Sequence, residues 1–285
     1  MEQPIIAKRE VTRHILKAHN LRADKRLGQN FLIDEKIVKK IVEAAELKVS
    51  DTVLEVGPGI GTLTQGLALT GASVVAVELD KRLLPVLAKT LGSYENVNII
   101  NEDILKLDIL SAVGGKSFKA VANLPYYITT PIIFSLLEQK LPLELLVVMV
   151  QREVAERMVA EPGGKEYGAL SVAINYYTEP RIAFLVPPDS FVPAPAVDSA
   201  VIVCRRRKLP PVKVNDEKLF FRVVKAAFSV RRKMLSNALR NMGLSPERTN
   251  FWLEKAGIDG RRRGETLSLA EFAALANSFE QAKNS

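Results

Sequence analysis

Residues 53–61 read Val-Leu-Glu-Val-Gly-Pro-Gly-Ile-Gly. Val53, Leu54 and Val56 give this stretch the apolar run of a short buried strand. Gly57, Gly59 and Gly61 then turn the chain, and Thr62-Leu-Thr-Gln-Gly-Leu-Ala-Leu begins a helical pattern. Glycine permits positive φ and lets a ligand approach with no Cβ in the way. The first N–H groups of the following helix point into the same crevice. A ligand-binding strand, turn and helix follow from this reading. The dinucleotide fingerprint G-x-G-x-x-G places a pyrophosphate on that helix. Here the third glycine comes one residue sooner and Pro58 stiffens the turn, so a wide anion cradle is not required.

Composition narrows the class. The 285 residues are 47% hydrophobic and 25% charged, as in an ordinary soluble globular protein with room for one sizeable core and a smaller second unit. No apolar run is long enough to cross a bilayer, and residues 1–10 lack the apolar core of a signal peptide. The one cysteine, Cys204, lies in Ala-Val-Ile-Val-Cys and reads as a core thiol. The histidines, His14 and His19, lie near the N-terminus, with no metal-ligand cluster around them. A reducing, cytoplasmic setting fits. Charge is uneven: residues 205–285 hold 18 Lys/Arg against 8 Asp/Glu, and residues 1–30 hold 7 against 3. A basic end on a near-neutral body suits a polyanion such as nucleic acid.

From residue 34 to about 160, strands and helices alternate, which predicts a doubly wound parallel sheet. Asp34 is placed to cap a helix carrying Ile37, Val38 and Ile41. Residues 72–80, 97–103, 120–122 and 141–150 read as further strands. Thr130-Pro131 reads as a helix cap and first position. Residues 170–178 and 197–204 read as two last strands, joined by the proline-rich stretch 187–195 that carries Phe191, either as an exposed aromatic or as the packed Phe that such turns often hold. Beyond Arg205-Arg-Arg-Lys-Leu-Pro-Pro the pattern is helical, with Ser268-Leu-Ala-Glu271 as a capping box. Two domains are expected, residues 1–204 and 205–285. Basic clusters Arg231-Arg232-Lys233 and Arg261-Arg262-Arg263 stand at helix boundaries in the second.

Polar residues stand at successive strand ends. Glu78 follows Gly61 by 17 residues, where an acid can accept both hydroxyls of a ribose. Asp103 sits at the carboxyl edge where open α/β sheets bind ligands. Asn123-Leu124-Pro125-Tyr126 follows the fourth strand onto that same edge. The amino group of adenine is a poor nucleophile, because its lone pair is delocalised into the ring. The Asn123 oxygen and the Leu124 carbonyl could hold its N–H groups and favour the tetrahedral nitrogen that forms as a methyl arrives. Tyr126 offers a ring on which an extruded base can stack.

The glycine spacing resembles motif I of the class I S-adenosylmethionine-dependent methyltransferases, whose sheet ends in a strand pair. Leu27-Gly-Gln-Asn-Phe-Leu, Glu55-Val-Gly-Pro-Gly-Ile-Gly61, Val77-Glu-Leu-Asp, Glu102-Asp-Ile-Leu, Asn123-Leu-Pro-Tyr and Phe191-Val-Pro-Ala-Pro-Ala-Val-Asp-Ser199 occur in that order. Together they resemble the ribosomal RNA adenine dimethyltransferase family, most of all the branch acting on small-subunit ribosomal RNA. The resemblance implies a Rossmann-like sheet with a terminal antiparallel strand pair and a small all-helical C-terminal domain. It implies dimethylation of two adjacent adenosines near the 3′ end of that RNA, on an immature small subunit, by a monomer without metal. Asn30, Leu32, Gly57 and Gly59 would then lie against S-adenosylmethionine. Glu78 would hold its ribose, Asp103 its adenine, and Asn123 both cofactor and target, while Tyr126 and Phe191 sandwich the target base. The C-terminal helices would meet RNA. Alternatives are a large-subunit adenine methyltransferase conferring macrolide resistance, which usually shows Asn-Ile-Pro-Tyr, a DNA adenine methyltransferase, and an RNA-binding assembly factor on the same fold.

Overall fold

A computed structural model describes residues 4–24, 27–230 and 233–283. In chain order the elements are Arg9–Ala18 (α1), Phe31–Leu32 (β1), Glu35–Ala44 (α2), Thr52–Val56 (β2), Thr62–Ala68 (α3), Ser73–Glu78 (β3), Leu84–Leu91 (α4), Val97–Asn101 (β4), Ile109–Ala112 (α5), Phe118–Asn123 (β5), Thr129–Glu138 (α6) and Leu143–Gln151 (β6). Then follow Arg152–Val159 (α7), Ala169–Tyr177 (α8), Thr178–Val186 (β7), Phe191–Val192 (β8), Ser199–Arg206 (β9), Glu217–Phe228 (α9), Leu235–Leu239 (α10), Pro246–Lys255 (α11) and Leu269–Lys283 (α12).

Seven strands make one sheet in the order β4-β3-β2-β5-β6-β9-β7. The pairs β2–β3, β3–β4, β2–β5 and β5–β6 are parallel, and β9 runs antiparallel to β6. Every residue of β2 is buried, as a central strand covered on both faces requires. The order reverses at β2, so ligands are expected outside the carboxyl ends of β2 and β5. Asp34 caps α2, accepting from Lys36 N at 2.9 Å and Ile37 N at 3.3 Å. Cys204 is buried in β9, as its context predicts.

Two expectations are corrected, and one pairing is new. Residues 169–177 form a helix and not a strand. Seven of its nine residues are buried, and an apolar run covered on all sides carries no period to distinguish helix from strand. Helix α6 starts at Thr129, and Ile128 occupies its cap position without a side-chain bond. The hydroxyl of Thr129 donates instead to the Pro125 carbonyl at 3.0 Å. Finally, β1 and β8 form a separate two-stranded antiparallel sheet, with Leu32 opposite Phe191. Two-residue strands leave no periodic trace in a sequence.

The molecule divides into two compact units, Met1–Ala155 with Pro180–Arg206, and Glu156–Glu179 with Arg207–Ser285. The second unit therefore includes residues 156–179 in addition to the C-terminal helices. Its core explains the attachment. Tyr176 stacks on Phe220 at 5.0 Å and Tyr177 on Phe221 at 5.4 Å, and the Tyr177 hydroxyl donates to Glu217 at 2.7 Å. The Trp252 indole donates to the Leu275 carbonyl at 2.8 Å. The capping box before α12 is present: Ser268 N donates to the Glu271 carboxylate at 2.8 Å, and Glu271 N to Ser268 Oγ at 3.3 Å.

Candidate active site

The carboxyl ends of β2, β3, β4 and β5 open into one cleft of about 1030 Å³, continuous with solvent. Gly57 and Gly61 have φ of +70° and +92°, values that side chains with a Cβ rarely adopt. At Gly61 a Cβ would also lie 3.0 Å from the Leu91 side chain. The turn is thus restricted to glycine, and it directs α3 toward the cleft.

Asn30, Leu32, Gly57, Gly59, Glu78, Asp103, Asn123, Leu124 and Tyr126 all line this cleft. Glu78 is buried, yet both of its oxygens are held. Oε2 accepts from Gly59 N at 3.2 Å and Oε1 from Asp80 N at 2.7 Å. Each oxygen keeps a lone pair for a hydroxyl. Burial raises the Glu78 carboxyl above its ordinary pKa, against those two donors. Asp103 accepts from Leu105 N at 3.0 Å. Asn123 Nδ2 donates to the Asn30 carbonyl at 3.3 Å, so the amide oxygen is the atom left to accept. The Tyr126 hydroxyl shares a 2.6 Å hydrogen bond with Ser199 Oγ, which fixes its ring.

Phe191 is not brought into this cleft. Its ring is 2% exposed and packs in the apolar cluster with Leu32, Val186 and Val201. Of the two positions open to it in the proline-rich stretch, the packed one is therefore found: pairing with β1 draws the ring inward. The aromatic that stands open at the cleft is Tyr127, 52% exposed, with its ring edge 3.5 Å from where a Cβ on Gly28 would be.

Gln29, which lines the cleft, and Asp80 lie inside the recognised motifs without an assigned role. Gln29 Nε2 donates to Asp80 Oδ2 at 2.9 Å, and Arg82 donates to the same oxygen at 2.7 Å. Asp24 N donates to Gln29 Oε1 at 2.9 Å. This network ties the Leu27–Leu32 loop to the end of β3. Arg82 holds the Asp80 carboxyl down at about 2. The acid two residues after Glu78 is the signal that could have revealed it.

Glu55 is almost fully buried, and its Oε2 and the Thr62 and Thr64 hydroxyls have no hydrogen-bond partner. Burial raises its carboxyl to about 8, reinforced by the charge of Glu78. The native protein therefore retains a proton that the unfolded chain loses above pH 4.5, and stability should fall as pH rises from there to about 8. Glu55→Gln should flatten this slope and raise stability at pH 8 by on the order of 2–4 kcal/mol. Urea unfolding at pH 5 and pH 8 checks it; parallel pH dependence in the variant contradicts it.

The charge of the cleft is one-sided. Glu78, Glu102 and Asp103 line it together with Glu55, which keeps its proton to about pH 8 and adds no charge below that, and neither Lys nor Arg is among its described lining residues. A pyrophosphate would be repelled, whereas a cation with a diol would be held. Among the described residues no group of three or more His, Cys, Asp or Glu could hold a metal ion, and no helix is long and apolar enough to cross a membrane.

In the second unit the basic clusters differ from a row of free cations. Arg231 and Arg232 lie outside the described residues, and Lys233 is exposed. Arg262 is bound by the Glu271 carboxylate and donates to the Thr266 carbonyl at 2.7 Å. It is thus committed to the fold. Arg261, 85% exposed, pairs with Asp259 at 2.9 Å, and Arg263 with Glu265 at 3.6 Å.

Residues 20–281 match the family model described as ribosomal RNA adenine dimethylase. An Enterococcus faecalis protein named ribosomal RNA small subunit methyltransferase A is 50% identical over 281 residues, covering 95% of each chain. Among solved structures, a dimethyladenosine transferase from Plasmodium falciparum is 25% identical with a TM-score of 0.72, covering 89% of this chain and 98% of that one. The 23S rRNA methyltransferase ErmE is 28% identical with a TM-score of 0.68, covering 88% and 100%.

Proposed function

The chain belongs to the ribosomal RNA adenine dimethylase family, and on that premise we propose that it dimethylates the exocyclic amines of two adjacent adenosines near the 3′ end of small-subunit ribosomal RNA, using S-adenosylmethionine. Transfer to small-subunit adenosine follows the near-full-length similarity to methyltransferases named for that RNA. The observation that carries the cofactor is the cleft itself, lined by Glu78, Glu102 and Asp103 beside a protonated Glu55, with no described Lys or Arg. S-adenosylmethionine, when bound, supplies an electrophilic methyl on a sulfonium cation. Glu78 is placed to hold a ribose diol, because each carboxylate oxygen is oriented by one backbone N–H. Gly57 and Gly59 let the ligand approach the turn, Asn30 and Leu32 wall it, and Asp103 stands at the far end for the adenine amine.

The remaining residues serve the acceptor. Asn123 Oδ1 and the Leu124 carbonyl accept from the target amine, bonds that strengthen as its nitrogen becomes tetrahedral. The proton released goes to solvent. Tyr126, pinned through Ser199, gives the extruded base one fixed stacking face. Phe191 braces the Leu32 side of the cleft from within the core rather than offering a second face. The basic second unit, residues 156–179 and 207–283, contributes RNA affinity through exposed cations such as Lys233. We assign the protein to the cytoplasm as a monomer acting on immature small subunits.

The large-subunit reading stays in view because the chain shares its fold with ErmE. Labelled S-adenosylmethionine offered with unmethylated small subunits, large subunits and duplex DNA in parallel separates the readings. Label is expected on small subunits. Label on large subunits, or macrolide resistance in a sensitive host, contradicts the proposal.

A further inference from the structure

Helix α1 has two faces. Its inner side packs Ile15 and Leu16 against the cluster of Ile6, Phe31, Ile60 and Leu83, and Phe31 and Ile60 also line the cleft. The helix is therefore built onto the outer wall of the active site. Two bonds secure the chain entering it: Ile6 N donates to Gln65 Oε1 at 2.9 Å, and Gln65 Nε2 to the Pro4 carbonyl at 3.1 Å.

Its outer side carries Arg9, Arg13 and Lys17, all exposed. They recur every four residues and so form one row, with successive charges about 6 Å apart along the axis. Lys8 stands exposed at the head of the row. Glu10, on the neighbouring row, is the one acid of the helix. Arg9 donates to the Asp189 carbonyl at 2.9 Å, and Asp189 lies two residues before Phe191. The row thus begins beside the turn that leads into β8, whose partner β1 lines the cleft. Around it, residues 31–204 carry 15 Lys/Arg against 21 Asp/Glu. A cationic row on an acidic body is not explained by general solubility, because it reverses the local sign of charge.

We propose that the Arg9-Arg13-Lys17 row of α1 is a phosphate track that holds the ribosomal RNA strand flanking the target adenosine. This rests on the proposed acceptor. The regular spacing of cations along the helix suits the regular repeat of phosphates along a strand, and the exposed side chains can follow a mobile backbone without reading its bases. The track supplies affinity and direction, while Asn123 and Tyr126 act on the one base drawn into the cleft. It lies on the same unit as the chemistry, so a flanking strand and an extruded base are held by one body.

The test uses the full chain and unmethylated small ribosomal subunits. The double variant Arg13→Glu/Lys17→Glu should raise the KM for subunits at least tenfold. It should leave kcat at saturation and the affinity for S-adenosylhomocysteine unchanged. The slope of log affinity for the subunits against log salt should shrink by about 1.5, at roughly 0.7–0.9 for each phosphate no longer neutralised. The charge-preserving variant Arg13→Lys/Lys17→Arg should behave as wild type, which a packing role would not predict. An unchanged subunit affinity and salt slope in the Glu variant overturns the track and leaves the row to solvent or to a protein partner. The binding isotherm decides this even if wild type fails to methylate the subunits, an outcome that would instead overturn the proposed acceptor.

Discussion

Asn123→Ala should lower kcat for methyl transfer by about 10²–10³-fold, the range seen when one preorganised group is removed from a developing charge. The side chain sits at the carboxyl end of β5, with Nδ2 held by the Asn30 carbonyl. That bond aims the oxygen, so alanine removes both the acceptor and the link to the 27–32 loop. Because the bonds to the amine strengthen in the transition state, the loss appears in kcat more than in affinity for RNA. Steady-state kinetics with a filter-binding measurement on the same subunits checks this. Turnover within a few-fold of wild type removes Asn123 from the reaction.

Glu78→Ala should weaken S-adenosylhomocysteine binding by at least about 100-fold. Two hydroxyl bonds to a carboxylate are lost, and a bond to a charged group is worth roughly 1.5–3 kcal/mol. The structure adds a second effect. The Gly59 and Asp80 N–H groups lose their acceptor at the same time, so the glycine turn loosens and Tm should fall by a few degrees. Calorimetric titration and thermal unfolding read the two separately. A dissociation constant within threefold of wild type means that Glu78 holds the turn and not the ribose.

Glu78 and Asn123 are legible in the sequence for a common reason. A central parallel strand is apolar throughout because it is covered on both faces, and its first polar residue therefore marks the carboxyl end where a ligand binds. Glu78 and Asn123 each end such a run, and Gly57 to Gly61 announce a turn that other residues cannot make. Where burial is uniform the sequence loses its voice. Residues 169–177 are as apolar as a strand and fold as a helix, which also hides their place in the second unit beside Phe220 and Phe221. Phe191 reads either way, because proline-rich segments run over surfaces yet often hold a packed Phe. A two-residue pairing with Leu32 turns it inward, and no pattern of that length can be read in advance. Gln29 and Asp80 are 51 residues apart and meet only in three dimensions. Arg262 looks like its neighbours in the sequence, and only its contact with Glu271 reveals that it is spent on the fold.

The glycine turn is one wall of an acid-lined cleft, braced by Glu78 from β3, with Asn123 at the end of the neighbouring strand β5. The loop at 27–32 closes the near side through Gln29 and Asp80. On the proposed function, substrate choice would lie with Asn123-Leu-Pro-Tyr126 at the cleft and with the Arg9-Arg13-Lys17 row on the same unit.

Nucleoside mapping of the product tests the central claim most directly. Unmethylated small subunits would be incubated with the protein and S-adenosylmethionine, and the ribosomal RNA digested and sequenced by mass spectrometry. The account predicts N6,N6-dimethyladenosine at two adjacent positions near the 3′ end of the small-subunit RNA and at no position in large-subunit RNA treated in parallel. Modification of a single adenosine in the large-subunit RNA, or an unmodified small-subunit 3′ end, would contradict it.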